Sequence, residues 1–370
     1  MEIRKEFLLR ATSAETSFAE LCREFGVTRK TGYKWKERHE RLGVEGLLDV
    51  SRRPHTSIRT DGETVLRVLE LHAKYKWGPK KLRDLLRRER RRCVPSARTL
   101  ARILRRAGIA PRRRRARLIL SPVMTAPKVA VDGPNALWTV DFKGWWRARD
   151  GTRCEPLTVR DAFSRYVLCT RILEAPNTAL VRHEFERIFR QFGLPRCIHV
   201  DNGEPFASTC ARAGLTRLSA WWVSLGIRVV RSRPGKPQDN GAHERMHADI
   251  ARDLQAAPAM TRAAQQRALS VWRRTFNEVR PHEALSMRTP AEVYRPSHMP
   301  FRGPQPVTYT TSWSPRRVSS KGFISVAGAK LFLGEGLVGQ TVGLEPLDEK
   351  RHRAWFYDVD LGIVEVAESA

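Results

Sequence analysis

Cysteine is sparse and unpaired in this chain. Its six residues, Cys22, Cys93, Cys154, Cys169, Cys197 and Cys210, include no Cys-x-x-Cys and no Cys/His pair at ligand spacing. That excludes a disulfide framework, and a structural zinc site is not expected. Long apolar runs are missing too. No stretch approaches the roughly 20 residues of a membrane span, and residues 1–20 lack the apolar core of a secretory signal. The chain is therefore expected in the cytoplasm, without a membrane partner. No glycine-rich phosphate loop occurs, so nothing implies ATP chemistry by this chain itself. The last shortage is negative charge. Against 68 Lys+Arg stand 39 Asp+Glu, leaving a net charge of +29 and a pI near 10.9. Such a charge repels itself in a folded protein, and a polyanion relieves the repulsion. Nucleic acid is the simplest candidate.

At 41% hydrophobic the sequence can bury real cores, and 370 residues imply two to four domains. The basic surplus is uneven: residues 1–120 hold 33 Lys+Arg against 14 Asp+Glu, a surplus of 19. Within this third, residues 17–40 read as a helix-turn-helix. Ser17 is placed to cap a helix carrying Phe18, Leu21, Cys22 and Phe25 at helical spacing. Gly26-Val27 makes the turn, and Thr28 caps a second helix with Thr31 and Trp35 inward and Arg29, Lys30 and Lys34 outward. Cations near the start of a short second helix suit the major groove of double-stranded DNA. Residues 63–110 repeat the theme. Ser96 caps a helix with Leu100, Ile103 and Leu104 inside and Arg98, Arg102, Arg105 and Arg106 outside, closed by Gly108. Arg112, Arg113, Arg114 and Arg115 follow without periodicity, as an arm for phosphates or the minor groove. The expected division is a helix-turn-helix domain over 1–54, a second over 55–115 and a basic linker over 116–134.

From Asn135 the texture changes. Strands are expected at 137–141, 155–160, 166–173, 197–200 and 227–231, with a helix over 178–192, a polar excursion with tryptophans over 207–226, and further helices after 239 and over 262–277. Three meandering strands, then a helix and more strands, predict a mixed five-stranded sheet flanked by helices over 135–297. Residues 315–366 alternate apolar and polar with frequent glycine, which predicts a small β-barrel domain over 298–370.

Two of these strands end alike. Leu137-Trp138-Thr139-Val140 runs into Asp141, and Cys197-Ile198-His199-Val200 runs into Asp201, where Asn202-Gly203 signals a turn. Carboxylates brought together repel unless a cation intervenes, and Mg²⁺ prefers carboxylate oxygens. Glu244, one turn into the helix after Asp239-Asn240-Gly241, supplies a third acid. Oxygen ligands converging from two strand ends and a helix fit two-metal phosphoryl transfer, with Lys236 or Arg245 to hold a backbone phosphate.

The order of these segments is specific. Trp138-Thr139-Val140-Asp141-Phe142, then His199-Val200-Asp201-Asn202-Gly203-Glu204-Pro205-Phe206, then Pro234-Gly235-Lys236-Pro237-Gln238-Asp239-Asn240-Gly241-Ala242-His243-Glu244-Arg245, resembles bacterial insertion-sequence transposases of the retroviral-integrase superfamily. Arg280-Pro281-His282-Glu283-Ala284-Leu285 with Thr289-Pro290 is similar to the family's closing motif. The resemblance implies a ribonuclease-H-like core and an Asp-Asp-Glu triad on Asp141, Asp201 and Glu244. It further implies Mg²⁺ or Mn²⁺, a homo-oligomer synapsed on transposon ends, and residence with the bacterial nucleoid. Asp201 and Glu244 lie 43 positions apart, longer than is usual for integrase-like members. A loop-helix insertion at 207–222 accommodates the excess, and Asp239 is the alternative third acid.

Two other readings compete. His243-Glu244-Arg245-Met246-His247 matches the His-Glu-x-x-His of zinc peptidases, in which two histidines on one helical face bind metal. Its polar surroundings, its place in a first helical turn and the +29 charge oppose that. A DNA-binding regulator with an inert core is the other, opposed by the presence of all three acids.

Overall fold

Phe7 organises the N-terminal helices. In the computed structural model, which describes all residues except 14–15, 50–59, 91–92, 110–128, 176, 209–210, 234–239 and 366–370, the chain forms two units, Met1–Val65 and Leu66–Ala370. In the first unit α1 (Glu2–Ser13), α2 (Phe18–Glu24) and α3 (Arg29–Leu42) surround the fully buried Phe7 ring. Phe18, Phe25 and Trp35 meet that ring edge-on at 5.7, 5.4 and 5.5 Å. Such pairs each contribute about 0.5–1.5 kcal/mol beyond area burial. Ser17 caps α2 in a reciprocal box with Glu20, and Thr28 caps α3. The inward residue of α3 beside Trp35 is Gly32, more than Thr31: a Cβ at Gly32 would lie 2.9 Å from both Cys22 Sγ and Phe7 Cζ.

α4 (Gly62–Tyr75) begins just before the division at Val65, and in the second unit it, α5 (Pro79–Arg88) and α6 (Ala97–Arg106) bury Val68, Leu71, Leu82, Leu86, Leu100 and Leu104. Lys80 and Arg88 of α5 form ion pairs with Glu283 and Glu292.

A mixed sheet follows, built from β1 (Leu137–Phe142), β2 (Trp146–Arg147), β3 (Arg153–Asp161), β4 (Val167–Leu173), β5 (Cys197–Val200) and β6 (Arg228–Arg231). Its order is β2-β3-β1-β5-β6, with β4 also paired to β3. β1, β3 and β4 are antiparallel neighbours, whereas β5 runs parallel to both β1 and β6. The sheet has six strands rather than the expected five, because the two-residue β2 adds a pairing with the start of β3.

Helices cover both faces. On one, α7 (Thr178–Phe192) and α8 (Arg217–Ser224) pack Phe185, Phe189, Trp221 and Trp222 against Trp138, Val140, Leu157 and Val159. On the other, α9 (Gly241–Ile250) and α10 (Arg262–Arg274) bring Met246, Ile250, Leu269 and Trp272 onto Trp146, Cys154 and Ile172. The expected polar excursion over 207–226 is corrected by α8, whose residues are all buried except its first, Arg217. It is the crossover between parallel β5 and β6, which a parallel pair requires.

After α11 (Pro290–Val293) the C-terminal strands are β7 (Ser314–Arg317), β8 (Phe323–Val326), β9 (Ala329–Phe332), β10 (Thr341–Pro346), β11 (Arg351–Phe356) and β12 (Val359–Glu365). The expected barrel is corrected here. β12-β11-β10-β7 form one antiparallel sheet, β8-β9 a separate hairpin, and neither closes on itself among the described residues. Their shared core closes instead over Leu215, Ala220 and Val223, in and beside α8.

Candidate active site

Alternation along β1 decides which side chains meet. Trp138 and Val140 enter the core beneath α7, so Thr139 and Asp141 turn to the face that carries α9. β5 lies parallel to β1 with Leu137 opposite Cys197 and Thr139 opposite His199. That offset brings Asp201, the residue after β5, level with Asp141 on the neighbouring strand. Adjacent strands are about 4.8 Å apart. Asp201 accepts a 3.2 Å bond from the Gly203 backbone N–H, which sets the turn leaving the sheet.

Glu244 sits exposed in the first turn of α9. Asn240 occupies the N-cap position of that helix without making a capping bond. Its amide donates instead to Asp141 Oδ2 at 3.4 Å. The Asp141 carboxyl is pushed up to about 7, first by burial and then by the charges of Asp201 and Glu244, against the Phe142 N–H and Lys143. Three acids from three elements thus act on one point. Their oxygens are the donor type that a hard divalent cation takes. Among the described residues, no three Asp, Glu, His or Cys side chains are already grouped tightly enough to enclose an ion.

The two histidines flanking Glu244 turn the other way. His243 and His247 are buried, and each puts Nε2 on the Thr158 hydroxyl, at 2.6 and 2.8 Å. His243 Nδ1 meets Thr139 Oγ1 at 2.7 Å. Burial pushes His247 down to about 3 and His243 well below its usual value, so both are neutral. The peptidase-like motif therefore spends its imidazoles on the sheet instead of on a shared metal.

Two integrase core domain models match residues 131–237 and 225–290, a homeodomain-like model matches 31–104 and a helix-turn-helix model matches 3–55. The chain is 28% identical over 229 residues to an uncharacterised 31.7 kDa protein of insertion element IS407 from Burkholderia multivorans, covering 61% of this chain and 78% of that protein. It is 28% identical over 245 residues to a 39.2 kDa protein of IS476 from Xanthomonas euvesicatoria, covering 64% and 67%. The chain carries an integrase core and helix-turn-helix domains and is similar to proteins of bacterial insertion elements. Among solved structures, the HTLV-2 integrase catalytic core domain in complex with magnesium matches 44% of this chain and 98% of that one, at 18% identity and a TM-score of 0.32.

Arg29, Lys30 and Lys34 are exposed along α3, and Arg98, Arg102 and Arg105 along α6. Arg245 is exposed beside Glu244. Arg112, Arg113, Arg114, Arg115, Lys236 and Asp239 lie outside the described residues. Among the described residues no helix is long and apolar enough to cross a membrane.

Sequence reasoning missed Thr158 and Arg160. Arg160 is buried and donates to the Ala242 carbonyl at 2.5 Å, tying the start of α9 to β3. Burial first, with Arg165 and Arg245 nearby, pushes its guanidinium down to about 10. The signal was period two: with Leu157 and Val159 in the core, 158 and 160 had to face α9. The closing motif is also structural. Arg280 reaches back to pair with Asp249 of α9 at 2.5 Å, both side chains nearly buried.

Proposed function

We propose that this DNA transposase binds the ends of its element through α3 and α6, nicks one strand there with water, and joins the freed 3′-OH to target DNA. Both steps are in-line phosphoryl transfers that differ only in the nucleophile, so one site serves both. In this reading Asp141, Asp201 and Glu244 are the catalytic acids. The single observation that carries it is Asp141 and Asp201 standing level on adjacent parallel strands, with Asp141 pushed up to about 7 by burial, Asp201 and Glu244. An isolated surface aspartate has no reason to be held so. Integrase cores depend on divalent metal, and the donor set fits Mg²⁺ or Mn²⁺. Asp141 and Asp201 would hold the ion and Glu244, exposed and with three rotatable bonds, would complete the set. Bound there, the metal would lower the pKa of the attacking hydroxyl and offset charge on the leaving 3′ oxygen.

The basic residues divide the remaining work. Cations on α3 and α6 face the end sequences, Arg112, Arg113, Arg114 and Arg115 add sequence-independent phosphate contacts, and Lys236 and Arg245 steady the scissile backbone. The proposed functional division is 1–54 and 55–115 for DNA binding, 116–134 as linker, 135–297 as core and 298–370 as the C-terminal part. Two ends must be joined in concert, so the working form is a homo-oligomer holding both, and the setting is the bacterial nucleoid.

Strand transfer tests the reading. Purified protein, labelled end DNA, plasmid target and Mg²⁺ are compared for the wild type and Glu244→Gln. Joined product from the wild type alone supports the proposal and Glu244. Product from both moves the third acid to Asp239. Tight end binding with no product from either favours a regulator with an inert core.

A further inference from the structure

The histidine pair is left over by the catalytic scheme, and its hub is a single hydroxyl. Thr158 stands directly across from Asp141 in the β1–β3 register. Its Oγ1 lies 2.9 Å from the Asp141 main-chain oxygen, 2.6 Å from His243 Nε2 and 2.8 Å from His247 Nε2. A hydroxyl offers one proton and two lone pairs. With three partners, the carbonyl can only accept, so Thr158 donates to Asp141 and both imidazoles donate to Thr158. His243 Nδ1 is then the bare nitrogen; Thr139 Oγ1 lies 2.7 Å from it and 3.4 Å from the Arg160 carbonyl oxygen, and the shorter contact takes the hydroxyl proton. His247 Nδ1 is also bare and faces Asp141 Oδ2 at 3.8 Å, so it takes nothing from the carboxylate. The hub's bonds are matched except at His247 Nδ1, and Asp141 Oδ2 keeps its bond from the Asn240 amide.

Resting on the catalytic reading above, we infer that Thr158, acting through His243 and His247, is a positioning residue that fixes the Glu244 helix and the end of the Asp141 strand relative to each other. Positions 243 and 247 are one turn apart, so the two bonds fix both the height and the rotation of α9 on the sheet. Glu244, the next residue after His243, projects about 100° round the helix from it, away from the hub and toward the open side. The third bond ties the same hydroxyl to the backbone of Asp141. One atom thereby sets the spacing of two acids from different elements. Residues that orient ligands in this way typically change metal affinity or activity by about 10–100-fold when altered.

Thr158→Val keeps the shape and removes the hydroxyl; Thr158→Ser keeps the hydroxyl and trims a methyl. Full-length variants are compared for end binding, end cleavage against Mg²⁺ concentration, and the rise in melting temperature that Mg²⁺ produces. The expected result for Thr158→Val is unchanged end binding, cleavage slower by about 10–100-fold, a higher Mg²⁺ requirement and a smaller Mg²⁺-induced rise. Thr158→Ser stays close to the wild type. Thr158→Val matching the wild type in Mg²⁺ requirement and melting response overturns the inference, as does Thr158→Ser failing equally, which makes the role one of packing. If Thr158→Val does not melt cooperatively, Thr139→Val decides. It removes the outer bond to His243 and a longer, 3.4 Å contact to the Arg160 carbonyl, and a raised Mg²⁺ requirement supports the inference while an unchanged one overturns it. A wild type that binds ends without cleaving them defeats the catalytic reading instead, and the melting response to Mg²⁺ still reports on Thr158.

Discussion

Removing the charge of Asp141 should make the metal-free protein more stable. Its carboxyl is raised from 3.8 to about 7 in the folded state, a shift of about three pH units and so of about 4 kcal/mol at most. The side chain keeps 23% of its surface exposed. Solvent screening therefore reduces the figure, and about 2 kcal/mol is the working value. The sign follows from proton binding. Between the unfolded value near 4 and the folded value near 7 the native state holds a proton that the unfolded chain has released, so stability falls as pH rises through this window and levels off above it. Asp141→Asn has no such loss. In EDTA at about pH 8 the variant should exceed the wild type by about 2 kcal/mol in urea unfolding, or by about 4–8 °C in melting temperature. Near pH 4.5 the two should converge. Adding Mg²⁺ should close the gap from the other side by stabilising only the wild type. A variant less stable than the wild type at pH 8, or a difference that does not change with pH, would refute the reasoning, since Asp141 would then carry no repulsion.

The remaining predictions concern other links in the chain. Asp201→Asn should abolish both end cleavage and strand transfer while leaving end binding nearly intact in a gel-shift assay; joint loss of binding and activity would make Asp201 structural. Gly32→Ala should destabilise the N-terminal unit by about 1–3 kcal/mol, as overpacking does, because its Cβ would lie 2.9 Å from Cys22 Sγ and Phe7 Cζ; calorimetry reads the loss directly. Arg280→Ala should destabilise the second unit by about 1.5–3 kcal/mol, the range for one hydrogen bond to a charged group, because Asp249 loses one of its two arginine partners and keeps Arg252 at 2.7 Å; urea unfolding measures it. Replacing Arg102 by Ala should lower the salt slope of DNA binding by about one, and an unchanged slope would remove α6 from the interface.

How much of this could be read in advance depends on how local each determinant is. Ser17, Thr28 and Ser96 cap their helices as their sequence context predicts, because a cap involves only four residues. Asp141 and Asp201 were legible as strand ends for the same reason. The local pattern around Asn240-Gly241 marks the start of α9 but not the bond from the Asn240 amide to Asp141, which comes from a distant strand. The stretch over 207–226 read as a polar excursion with tryptophans, yet Trp221 and Trp222 of α8 belong to the main core. The histidines of the His-Glu-x-x-His stretch were visible as a pattern, but which face they occupy is set by Thr158, more than eighty positions earlier. Closure of the C-terminal strands depends on pairings between non-neighbours, which alternation alone does not specify.

The joint between the C-terminal sheets and α8 has a mechanical consequence. Leu215, Ala220 and Val223 share one core with strands β8 to β12, and the Arg212 guanidinium clasps the Ile363 carbonyl at 2.9 Å. α8 in turn connects β5, whose end carries Asp201, with β6. A load placed on the C-terminal sheets is therefore transmitted through packed side chains to the strand end that carries Asp201, as through a lever and not a tether. Severing the chain near residue 300 would strip the outer side of that helix bare, so the core and its C-terminal sheets must be inherited, expressed and moved as one piece.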